Sequence, residues 1–236
     1  MAYPKPLSLH GGLSLGGVTA PVPPTFDCAD PDARLAGLAA AAAAVRSGRL
    51  VVLPTDTVYG LGADAFSGAA VRALLAAKGR GPDMPVPVLV GSWSTIDGLV
   101  TTVSATAREL VEAFWPGGLS LVLPHAPSLT WDLGVTRGTV MLRMPLHPVA
   151  LELLRDVGPM AVSSANISGR PPATTVADAV EQLGDSAAVY LDGEPCRVGV
   201  ASTIVDLTGS EPRILRAGAV DAAALAEVLG REVATA

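Results

Sequence analysis

At 236 residues, with 50% hydrophobic and only 16% charged side chains, the chain can bury one ample core, and this composition excludes intrinsic disorder. The formal net charge of −6 argues against a surface built for non-specific nucleic-acid binding, which normally needs a basic face. A basic pocket inside an acidic shell is still compatible with it.

Residues 1–26 are rich in Gly and Pro, lack any period and are expected to form an extended leader ahead of one domain over 27–236. Asp30-Pro31 supplies an N-cap with Pro at the first helical position, and the Ala-rich run to Val45 reads as a helix stopped by Gly48. That run is too short to span a bilayer. The interrupted apolar stretch at the N-terminus is a poor secretory signal. The two cysteines, Cys28 and Cys196, are far apart and form no C-x-x-C, which suits a reducing compartment, so a cytoplasmic location is expected.

Residues 50–53 read as a buried strand. The same patterns predict helices over 68–78, 104–114, 147–156, 175–183 and 221–229. Strands are predicted over 86–90, 119–123, 139–143, 160–162, 188–191, 203–206 and 213–215. The late strands are joined too briefly for helical crossovers, so the fold class is α/β with a mixed sheet. No second domain is expected after residue 216.

Several chemical signatures are missing: the G-x-x-x-x-G-K-[ST] phosphate loop, the G-x-S-x-G elbow and the H-E-x-x-H pair. His10, His125 and His147 are scattered and read as surface or capping residues. Gly60-Leu61-Gly62 with Ala65 formally matches a dinucleotide fingerprint, but a polar insert separates it from the strand ending near Leu53. The stronger signals are polar clusters placed just after apolar strands, where ligands collect in open α/β sheets. Pro54-Thr55-Asp56-Thr57-Val58-Tyr59-Gly60-Leu61-Gly62 offers two hydroxyls, a carboxylate and a phenol, although a capped Gly-rich turn would use the same residues. Lys78-Gly79-Arg80 suits phosphate capture, or simply a helix C-terminus. Ser163-Ser164-Ala165-Asn166-Ile167-Ser168-Gly169 could hold phosphate or carboxylate. Ala201-Ser202-Thr203 and Ile214-Leu215-Arg216 complete the set.

Taken in order, "PTDTVYGLG", Lys78-x-Arg80, "FWPGGLSLVL", "VMLRMPLHP", "SSANISGRPPATT", "ASTIVDL" and "ILRAG" make residues 45–220 resemble the YrdC-like family of threonylcarbamoyl-AMP synthases. The resemblance implies a single YrdC-like domain whose curved mixed sheet and flanking helices surround a large basic cleft. It implies that Thr57, Arg143, Ser164 and Ser202 contact L-threonine. Lys78, Arg80, Asn166, Thr174 and Arg216 would surround ATP, with Thr139 nearby and Lys78 and Arg80 closest to the chemistry. The implied reaction joins L-threonine, bicarbonate and ATP through N-carboxy-threonine and releases pyrophosphate. It needs no protein nucleophile and no organic cofactor, only Mg²⁺ carried on the triphosphate. The product would serve tRNA threonylcarbamoyladenosine modification, passing to a separate tRNA threonylcarbamoyl transferase complex, with weak tRNA contact and no membrane partner. Gly81, Met84, Leu89 and Ala201 depart from residues common in the family at those places. A related carbamoyl-adenylate enzyme and a non-catalytic RNA-binding module are the alternatives.

Overall fold

The structure, a computed structural model, describes residues 23–236. Its early strands are β1 (Thr25–Asp27), β2 (Val51–Leu53), β3 (Gly60–Asp64), β4 (Val88–Leu89) and β5 (Leu119–Pro124). They are followed by β6 (Thr139–Arg143), β7 (Met160–Ser164), β8 (Val189–Asp192), β9 (Thr203–Asp206), β10 (Arg213–Arg216) and β11 (Ala234–Thr235). The helices are α1 (Pro31–Arg46), α2 (Gly68–Ala77), the single turn α3 (Ile96–Leu99), α4 (Ala105–Phe114), α5 (Pro148–Val157), α6 (Val176–Leu183) and α7 (Ala222–Leu229). Among the described residues no helix is long and apolar enough to cross a membrane.

The strands form one mixed sheet in the order β1-β8-β2-β3-β7-β4-β6-β5-β9-β10-β11. Alternation along its strands assigns each residue to a face. Val51, Leu53, Met160, Val162, Val189 and Leu191 pack on one side with α1 and α5. Val52, Leu61, Ala161 and Tyr190 pack on the other with α2, α4, α6 and α7. Burial on both faces explains why these strands read as unbroken apolar runs. Local signals set the helix starts: the Asp30 carboxylate accepts from Ala33 N at 2.8 Å, and Thr175 with Asp178 forms a reciprocal capping box.

Two expectations change. The leader expected over 1–26 lies outside the described residues up to residue 22, but Thr25 and Phe26 belong to β1. They are ordered by a partner distant in sequence, since β1 pairs in parallel with β8 and Cys28 N donates to Asp192 O at 2.8 Å. The glycine cluster, which could be read as a turn, is strand β3. It is antiparallel to β2, with Leu53 opposite Gly60, and antiparallel to β7 on its other edge. A Cβ on Gly60 would meet Val162 Cγ1 at 2.5 Å, and one on Gly62 would meet Met160 Cε at 2.7 Å. These glycines admit the side chains of β7 and form no dinucleotide turn. Residues 54–59 therefore become a hairpin loop held at the end of two buried strands.

Candidate active site

The hairpin loop is shaped by its own hydroxyls. Thr55 Oγ1 donates to Val58 O at 2.6 Å and accepts from Thr57 N at 3.2 Å, which fixes Thr57 as a fully buried residue. The Tyr59 hydroxyl is used elsewhere, donating to Glu194 O at 2.8 Å and accepting from Gly193 N at 3.0 Å. Thr57 Oγ1 accepts from Arg143 Nη1 at 2.8 Å.

Arg143 ends β6, and three polar groups hold it. Its Nε donates to Gly117 O at 2.8 Å, Nη1 to Thr57, and Nη2 to Asp56 Oδ1 at 2.6 Å. The Asp56 side chain keeps 12% of its exposure and that of Arg143 7%, so the ion pair is largely out of water. Burial pushes the guanidinium pKa down and the neighbouring Asp56 charge opposes that shift.

Across the sheet, β7 delivers Ser163 and Ser164 and the turn after it delivers Asn166. Beneath that turn lies Lys78, the C-cap of α2, with no solvent exposure. Its ammonium donates to Ser164 O, to Asn166 O at 2.6 Å and to Asn166 Oδ1 at 3.3 Å. Burial, with the Arg80 charge beside it, pushes its pKa down to about 7. The Asn166 amide closes the turn by donating to Ile167 O at 2.9 Å and Arg170 O at 2.8 Å. Arg80 lies above, with Nε donating to Ser168 Oγ at 2.8 Å and Nη1 to Ser163 Oγ at 3.4 Å.

The third wall comes from β5, β9 and β10. Ser120 and Ser202 share a hydrogen bond at 2.9 Å, and Arg216 donates to Ser202 O at 2.7 Å and Ser202 Oγ at 3.1 Å. Burial and the charges of Arg143 and Arg80 lower the Arg216 pKa. The Arg143 and Arg80 charges both bear on Arg216, and an anion between these guanidiniums would relieve that repulsion.

These walls enclose a cleft of about 440 Å³ whose lining, among the described residues, includes Arg80, Arg143, Arg170 and Arg216 and no carboxylate. Seven of the residues singled out from the sequence line it: Thr57, Arg80, Arg143, Ser164, Asn166, Ser202 and Arg216. Met84, Leu89 and Ala201, three of the departures from the family pattern, also border it.

Three of the residues singled out do not line the cleft. Lys78 is beneath its floor, spent on the turn above it. Thr139 begins β6, four residues from Arg143 and so roughly 13 Å along the strand, and its hydroxyl donates to Thr136 O at 2.8 Å. Thr174 belongs to the start of α6, where its N–H donates to Asp178 Oδ2 at 3.3 Å. Conversely, Asp56 and Ser163, named only as members of candidate clusters, and Ser120 and Arg170, given no role, belong to the site or its support. A lone serine in the apolar run "GLSLVL" was the available signal for Ser120. A second cavity of about 790 Å³, bordered by Asp56, His147 and Cys196, adjoins the cleft at Thr55, the lining residue that the two share among the described residues.

The Sua5/YciO/YrdC family, described as "Telomere recombination", matches residues 43–218. A putative threonylcarbamoyl-AMP synthase of Mycobacterium tuberculosis is 64% identical over 211 residues, covering 89% of this chain and 97% of its own. A threonylcarbamoyl-AMP synthase of Pyrococcus abyssi is 38% identical over 191 residues, which are 80% of this chain and 56% of that longer protein. Among solved structures, P. abyssi Sua5 complexed with L-threonine superposes with a TM-score of 0.84 at 34% identity, covering 90% of this chain and 62% of that one. With the family's motifs converging on one arginine-lined cleft, the chain belongs to the Sua5/YciO/YrdC family.

Proposed function

We propose that the chain is an L-threonylcarbamoyladenylate synthase, a nucleotidyltransferase that makes threonylcarbamoyl-AMP and pyrophosphate from L-threonine, bicarbonate and ATP. The observation that carries this reading is the pair Arg80 and Arg216. Both face the cleft, and among the described residues neither has a carboxylate partner, while small hydroxyls and the held Arg143 stand beside them. Free guanidiniums suit phosphate oxygens, and the Thr57–Arg143–Ser202 side suits an amino acid. The naming of close relatives as threonylcarbamoyl-AMP synthases, and the L-threonine bound to a structural neighbour, support the same reading.

In this reading Arg143 takes the threonine carboxylate, with Thr57, Ser164 and Ser202 close to its amine and hydroxyl. The threonine amine adds to bicarbonate with loss of water, and an oxygen of the resulting carbamate attacks the α-phosphorus of ATP as pyrophosphate departs. Arg80 and Arg216 neutralise the phosphate oxygens, and Lys78 acts indirectly by holding the Ser164–Asn166 turn. Among the described residues the lining offers no carboxylate to a metal ion, which suits Mg²⁺ entering as part of the nucleotide substrate. The product is destined for a tRNA-modifying transferase.

Pyrophosphate release is the direct test. It is expected to require L-threonine and bicarbonate together, with only background when either is omitted. Serine should be poorer by roughly 1 kcal/mol for its missing methyl. Valine should lose about 1–3 kcal/mol by stranding a hydroxyl partner. Turnover with carbamoyl phosphate but without threonine would indicate carbamoyl-adenylate chemistry. Salt-sensitive RNA binding with no pyrophosphate under any combination would indicate a binding module.

The phosphate side can be tested separately. Arg80→Ala is expected to weaken ATP binding by about 2 kcal/mol, with Arg80→Lys recovering only part because the fork is lost. Unchanged ATP affinity in a titration would remove Arg80 from the phosphate site.

A further inference from the structure

We propose that Asp56 is a positioning residue for amino-acid recognition: from behind the cleft wall it sets the orientation and charge of Arg143, and through Arg143 it sets the affinity for the substrate's carboxylate. This rests on the synthase reading and adds to it a residue that never touches the substrate.

The geometry separates the two partners. Arg143 lines the cleft, whereas Asp56 lines only the second cavity, which adjoins the cleft at Thr55. One oxygen, Oδ1, joins the two sides. It accepts from Arg143 Nη2 at 2.6 Å and from Leu146 N at 2.8 Å, so the backbone just past β6 anchors the carboxylate that holds the arginine ending β6. A guanidinium has five N–H donors in a rigid plane. Gly117 O, Thr57 Oγ1 and Asp56 Oδ1 take three of them, which leaves one on each terminal nitrogen. Two donors in one plane match the two oxygens of a carboxylate, provided that the plane does not turn.

Asp56 is the partner that prevents turning. Gly117 O and Thr57 Oγ1 are neutral acceptors, and Asp56 is the charged one in the shortest of the three contacts. It also offsets the cost of keeping a guanidinium in a largely dehydrated wall, where the Arg143 charge also bears on Arg216. Without that carboxylate, Arg143 would keep its place in the sequence of β6 but lose its fixed direction.

The test is calorimetric titration of the full chain with L-threonine and, separately, with ATP, alongside pyrophosphate-release kinetics. Asp56→Asn keeps the size and an oxygen for Leu146 N but removes the charge. It is expected to weaken threonine binding about tenfold and to raise the half-saturating threonine concentration by the same factor. ATP affinity and the rate at saturating threonine should change by less than about twofold. Asp56→Glu, which keeps the charge on a longer arm, should recover part of the threonine affinity. In an Arg143→Lys background, Asp56→Asn should add little, because a residue acting only through Arg143 has lost its target. Should Asp56→Asn not fold, Asp56→Ser asks the same question with a smaller, neutral oxygen acceptor.

Equal threonine affinity in wild type and Asp56→Asn would overturn the role, as would parallel loss of threonine and ATP binding or a full additional loss in the Arg143→Lys background. A wild-type chain that binds ATP but no threonine would instead overturn the synthase reading, and this role with it.

Discussion

Arg143→Met is expected to lower the unfolding free energy by about 3–5 kcal/mol and to abolish threonine binding. The stability loss comes less from the arginine than from what it leaves behind. Asp56 would keep its charge in a wall where its side chain is 12% exposed, with Leu146 N as its remaining donor. Gly117 O and Thr57 Oγ1 would each lose a donor at 2.8 Å. Urea unfolding followed by circular dichroism measures the effect. Adding Asp56→Leu to Arg143→Met should return part of the stability, because an apolar pair in that wall strands no charge, while threonine binding stays lost. A loss below about 1 kcal/mol would mean that water from the second cavity already solvates Asp56 and that the pair is a loose one.

Most elements were legible in the sequence because burial on two faces writes itself plainly. Val51-Val52-Leu53 and Met160-Ala161-Val162 are apolar runs, and Asp30, Ser67 and Asp221 each cap a helix start. The exceptions have specific causes. β3 contains two glycines whose missing side chains are required by Val162 and Met160 on a strand about a hundred residues later. β1 spans three residues, and Thr25 finds its partner Tyr190 in β8 about 165 residues later. Neither requirement is local, so no local pattern could express it.

The cleft shows the same division. Thr57, Arg143, Ser164, Ser202 and Arg216 lie at or just beyond strand ends, which is where the sheet brings side chains from separate motifs together. Thr139 starts the strand that ends in Arg143, with its hydroxyl on Thr136 O. Thr174 stands just ahead of α6, where its N–H donates to the Asp178 carboxylate beside the Thr175 cap, a contact that its sequence position did not announce. Asp56 sat in view inside the first motif, but its partner is 87 residues away, and only folding turns that carboxylate toward β6.

Unfolding measured against pH should show Lys78 as a buried amine that titrates near neutrality. The ordinary lysine value is 10.5, and burial with Arg80 beside it brings Lys78 to about 7. Between those values the unfolded chain binds a proton that the folded chain has released. Stability therefore rises with pH, by about 1.4 kcal/mol per unit from this group alone. Other groups bound the window. Burial lowers His147 below its usual 6.5, so in acid the unfolded state takes up a proton that the fold refuses, and stability falls there. Cys28 and Cys196, raised by burial from 9.0 to about 11, act in the opposite sense above pH 9, where the unfolded thiols ionise first. The net expectation is a gain of about 2 kcal/mol from pH 7 to 9, because the folded amine is already half titrated at 7 and the thiols begin to oppose it near 9; Lys78→Met should flatten the profile. The charge state also bears on the site: an ammonium offers three protons to Ser164 O, Asn166 O and Asn166 Oδ1, whereas a neutral amine has only two. One of those contacts must then weaken as the amine loses its proton, just where the turn presents Ser164 and Asn166 to the cleft. A flat wild-type profile across pH 7–9 would mean that the three oxygens outweigh burial and that Lys78 stays charged beneath the turn.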